Sequence, residues 1–178
     1  MRFLTAIFLF GVMSVSPVWS ADDPKLPDTE KSDAQKDMDT LAQAGIRQAL
    51  EAIAKSGGMY PFGLISVDGN LQAVGYSGAK EEAPDPEDWS KALFMKLRQI
   101  GNEQPEVDMM SIYRLHEVEN DKGEKVVGVW AEIDHRDVRP WVIFVPLIKN
   151  AEGKHEIGET IYYATDQPLF EKREAGND

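Results

Sequence analysis

VDMMSIYRLHEVENDKGEKVVGVWAEIDHRDVRPWVIFVPLI, Val107 to Ile148, decides the fold, because it reads as three strands joined by two short connections. The first strand is predicted over Val107–Val118, followed by a turn at Asn120-Asp121-Lys122-Gly123. The second runs from Lys125 to Ile133 and the third from Arg139 to Ile148, with a tight charged link at Asp134–Asp137 between them. Connections this short make a meander of antiparallel neighbours. Within it, Trp141-Val142-Ile143-Phe144-Val145 shows no polar alternation, so both its faces are expected to be covered and its place is the centre of the sheet.

Outward from this stretch the punctuation is clear in both directions. Downstream, Asn150-Ala151-Glu152-Gly153 turns into a last strand, Glu156–Thr165, and residues 171–178 (EKREAGND) read as a disordered tail. Upstream, Asp85 suits an N-cap, Pro86 the first helical position, and Glu87 and Asp88 the positive end of the dipole. The helix they open has Trp89, Ala92, Leu93, Leu97 and Ile100 on its apolar face and is expected to stop at Gly101. Before it stand an acidic loop, residues 77–84, and a hairpin: Met59–Val67, the type I′ pair Asp68-Gly69, and Leu71–Tyr76. A first helix is expected from about Asp33 to Ser56, where Ala42, Ile46, Ala49, Leu50 and Ile53 recur at helical spacing before Gly57-Gly58. The order helix, hairpin, helix, meander implies an α+β domain over residues 35–170. It should hold a mostly antiparallel sheet of about five to six strands with two main helices.

The N-terminus supplies an address. Arg2, the apolar run Leu4–Val15 and Val18-Trp19-Ser20 form the three regions of a cleavable signal peptide, residues 1–20, with cleavage near Ser20/Ala21. Residues 21–34, rich in charge and proline, read as a flexible leader. The apolar run is too short for a membrane span, and the chain contains no cysteine that could carry a lipid anchor or a disulfide. A soluble periplasmic protein without a membrane anchor is the expectation. Its formal charge of −12 at pH 7 opposes phosphate backbones, so nucleic acid is excluded as a partner.

Two resemblances accompany this reading. The element order is similar to profilin-like and roadblock-like domains, a likeness of topology alone. Tyr60-Pro61-Phe62-Gly63, Asp68-Gly69, and Glu132-Ile133-Asp134-His135-Arg136 followed by an apolar strand to Val145-Pro146 resemble small uncharacterised bacterial exported proteins. Those carry a "YPFG" strand and an "EHR"-type strand end. The likeness implies shape over roughly residues 40–165 and transfers no function.

Candidate chemistry concentrates in Glu132-Ile133-Asp134-His135-Arg136-Asp137. In an extended chain Glu132, Asp134 and Arg136 face one side and Ile133, His135 and Asp137 the other. Metal-ligand spacings such as HxxxH, HxH or HExxH are lacking, and His135 would need His116 or His155 from another strand, so no metal and no cofactor are expected. His135-Arg136-Asp137 spells the kinase catalytic tripeptide but lacks the glycine-rich loop and Asp-Phe-Gly, and none of the serines after the signal lies in a GxSxG elbow. No catalytic residue is therefore assigned. The binding candidates are Glu81 and Glu82, which capping does not explain, the Asp134-His135-Arg136 run, and Tyr162 and Tyr163, which alternation sends to opposite faces. The sequence thus points to a non-catalytic protein-binding module, an inhibitor or immunity-type protein being its most concrete form. A small-ligand sensor or carrier with a pocket between sheet and helix is the alternative, and a hydrolase using Asp134 and His135 the third.

Overall fold

Among the described residues, each α-helix begins on a side chain that accepts from a free amide of its first turn. In α1 (Asp33–Ser56) Ser32 Oγ accepts from the Gln35 amide at 3.3 Å while Gln35 Oε1 accepts from the Ser32 amide at 2.9 Å, a complete capping box. In α2 (Pro86–Glu103) the Asp85 carboxylate accepts from the Glu87 amide at 2.9 Å. The computed structural model describes residues 31–171, apart from 121, 151–154 and 166. The expected signal peptide, leader residues 21–30, the 151–153 turn and the tail after Glu171 lie outside the described residues. Residues 33 and 34, within the expected leader limit, belong to α1, which starts where the helix was expected, at Asp33.

Between the helices lie β1 (Phe62–Val67), β2 (Asn70–Val74) and a 3-10 turn (Lys80–Glu82). The β1–β2 turn has the positive φ angles of a type I′ pair, 50° at Asp68 and 76° at Gly69. After α2 come β3 (Val107–Glu119), β4 (Lys125–His135), β5 (Val138–Lys149), β6 (His155–Ile157) and β7 (Ile161–Ala164). All pairings are antiparallel, in the order β2-β1-β3-β4-β5, with β6 and β7 both paired to β5. Among the described residues the fold is α+β, a seven-stranded sheet with two α-helices.

The helices take opposite faces. Leu64, Met109, Tyr113, Ala131, Ile133 and Ile143 point to α1 and meet Met38, Leu41, Ala42, Ala49 and Ile53. Their neighbours Ile65, Met110 and Ile112 point to the other face and meet Leu93 and Leu97 of α2. Period-two alternation in the strands therefore builds two cores from one sheet.

Four expectations need correction. β3 and β4 hold the centre of the sheet, whereas β5 is one strand in from the edge; its apolar run is buried because both faces are covered there, not because of a central position. Gly101 lies inside α2, where a side chain would come within 2.7 Å of Met110 and 3.1 Å of Phe170, so it serves close packing rather than termination. Ala92 points to solvent. The last strand is broken into β6 and β7. Pro146 accepts from the Gly158 amide at 2.9 Å, so its missing N–H faces the same side and leaves a gap in the ladder.

Candidate functional site

Because α2 packs on β1 and β3, the same sheet face continues past it over β4, β5 and β7. A cleft of about 1010 Å³, open to solvent, runs along this boundary. Lys91, Phe94 and Met95 of α2 form one wall, Met59 and Pro61 an end, and Ile112, Arg114, His116 and Glu132 the floor. Asp85 and Glu87 stand at its mouth.

The floor is set by register. Ile112 pairs with Glu132, and Arg114 with Trp130, so these side chains and His116 share one face. Glu132 Oε1 accepts from Trp130 Nε1 at 2.9 Å and from Arg114 Nη2 at 3.3 Å. Arg114 Nη1 lies 3.2 Å from His116 Nδ1. A guanidinium only donates, so Nδ1 accepts and the neutral ring carries its proton on Nε2. The Arg114 guanidinium lies 5.6 Å from the centre of the Trp130 ring, and His116 meets the same ring edge-on at 4.8 Å. Tyr163 stacks on its other side at 5.5 Å. Burial and the Arg114 charge hold the His116 pKa below its ordinary value, against the opposing pull of Glu132 and Glu117. This floor is a bonded network of fixed orientation, suited to recognition.

The sequence-predicted residues fall in three places. Glu81 and Glu82 are exposed on the 3-10 turn, ahead of the cleft mouth and outside its lining. Tyr162 and Tyr163 do face opposite sides of β7, 67% and 37% exposed, and only Tyr163 reaches the Trp130 network. Asp134, His135 and Arg136 come together around a second cavity of about 590 Å³, with Thr165, Phe170 and Glu171 on its far side.

There the Leu169–Phe170 segment is tied to the sheet. Asp134 is 2% exposed, and its Oδ2 accepts from the Leu169 amide at 2.6 Å and the Phe170 amide at 2.9 Å. Burial raises its pKa, against the lowering effect of those amides. Arg136 donates to the carbonyls of Gly101 and Gln104, both at 2.8 Å, and to that of Val107. Its guanidinium also covers the Phe170 ring at 4.5 Å. His135 Nδ1 accepts from the Asp137 amide at 3.0 Å. The expected tight link is thus shorter than Asp134–Asp137, since β4 continues through His135.

Sequence reasoning missed Arg114, Trp130 and Glu132 as site residues and weighed His116 only as a metal ligand. Their signal was Arg-x-His and Trp-x-Glu, two polar pairs at strand spacing in adjacent strands. Among the described residues no three His, Asp or Glu side chains are grouped to hold a metal ion, and no helix is long and apolar enough to cross a membrane. No protein-family model, no curated protein and no solved structure matches the chain.

Proposed function

We propose that this chain is an exported, non-catalytic protein-binding module that seats a segment of its partner in the cleft between α2 and β3–β4. The cleft itself is the observation that carries the reading. It is open on one side, and its volume of about 1010 Å³ stands at the upper end of the roughly 300–1,000 Å³ typical of small-molecule pockets. Its polar floor groups are bonded to one another, so they present a fixed surface. An inhibitor or immunity-type role is the most concrete form of this reading, and a periplasmic location follows from the signal-like N-terminus; a mature chain beginning at Ala21 by mass spectrometry would support that address.

The second reading, a small-ligand sensor or carrier, draws on the convergence of Arg114, His116 and Glu132 on one floor. The geometry supports a hydrolytic role for Asp134 and His135 least, because the Asp134 carboxylate is engaged with two backbone amides.

A photo-crosslinking residue placed at Met95, which is 64% exposed on the cleft wall, distinguishes these readings in the source cell. The protein-binding reading expects one discrete crosslinked protein from Met95 and none from Gln48 on the outer side of α1. Equal crosslinking from both positions, or none from Met95, counts against it.

A further inference from the structure

The charges around the cleft identify the kind of segment it takes. Both cations of its lining are engaged: Lys91 Nζ lies 2.9 Å from Glu87 and 3.7 Å from Asp88, and Arg114 is held by Glu132. The lining itself keeps an excess of acid, with Asp85, Glu87, Glu117 and Glu132 against Lys91 and Arg114, and Glu81, Glu82 and Asp88 are near in sequence. Beside these charges the cleft is lined by the apolar side chains of Pro61, Phe94, Met95 and Ile112. Met95 is exposed at 64%, an arrangement that apolar contact with a partner would cover.

Resting on the reading of this cleft as the binding seat, we propose that its occupant is an extended polypeptide segment with a Lys or Arg beside apolar side chains. The cation lies at the mouth near Asp85 and Glu87, and the apolar residues lie along Pro61, Phe94 and Met95. Charge complementarity makes the argument. An acidic segment would meet the excess carboxylates, because the lining acids outnumber the two cations that pair with them. A basic one gains from that field and from the acidity of the whole chain, with its largest effect on the association rate.

The test is selection of a displayed library of short random peptides on the purified protein and, in parallel, on the Met95→Asp variant. Thermal melting serves to check that the variant is folded. Wild type should enrich peptides with Lys or Arg next to apolar residues, and Met95→Asp should not. The best peptide, synthesised, should lose about tenfold in affinity between low and high salt, and Glu87→Lys should weaken it several-fold while Gln48→Lys leaves it unchanged. Enrichment of acidic peptides, or of apolar peptides with no charge bias that still need Met95, overturns the cationic occupant and leaves the cleft as the seat. Enrichment of the same pool on both proteins, or of none on wild type, overturns the inference together with the cleft.

Discussion

Asp134 shows how one residue can look catalytic in sequence and act structurally in the fold. Its carboxylate takes two amides of the Leu169–Phe170 segment, whose side chains fill the core under α2. Asp134→Ala orphans both amides and should cost about 2–6 kcal/mol by chemical denaturation, at about 1–3 kcal/mol for each buried group left unpaired. Asp134→Asn keeps an acceptor without the charge. Because burial raises the native pKa of Asp134, its stabilisation is fully present below the unfolded value of about 3.9 and is lost as pH rises through the native value. The stability of Asp134→Asn relative to wild type should therefore increase with pH across that window; a constant difference would contradict the assignment. His116 has the opposite sign. Its lowered pKa gives stability above the unfolded value of about 6.5 that is lost as pH falls through the native one, when protonation of Nδ1 breaks the Arg114 contact. His116→Gln should reduce the drop in melting temperature between neutral and mildly acid pH.

At the scale of elements, packing of α1 on the sheet turns on Gly45. Tyr113 passes over this glycine to donate to the Leu41 carbonyl at 2.9 Å, and a Cβ at position 45 would overlap its ring. Gly45→Ala should cost about 1–3 kcal/mol through overpacking, and adding Tyr113→Phe should give a total smaller than the sum of the two, since the hydroxyl is part of the clash. Strict additivity in a double-mutant cycle would contradict this packing. Both helices and the hairpin were legible in the sequence because their signals are local: Gly57, Asp68-Gly69 and Asp85-Pro86 act on the backbone beside them. The rest depended on partners distant in sequence. Within Glu156–Thr165 only Gly158 marks the break between β6 and β7, and its close approach to Pro146 and Ile148 of β5 is seen only once the strands are paired. Likewise Gly101 reads as a helix stop until Met110 and Phe170 are seen against it.

For the molecule as a whole, the same distinction governs the site. Tyr163 could be named from the alternation of adjacent tyrosines, and Asp134-His135-Arg136 from its density of polar groups. Arg114, His116, Trp130 and Glu132 become a unit only when β3 and β4 are paired in register. The central claim is that the face left open beside α2 is where a partner sits. Backbone-amide chemical-shift mapping with a bound partner segment, or with the best selected peptide, tests it most directly. The largest changes should fall on Lys91–Met95, Ile112–His116 and the Trp130 indole, with the outer side of α1 at Gln43 and Arg47 unmoved. Changes concentrated on α1 or on Tyr162 at the β7 edge, with the cleft silent, would contradict the account.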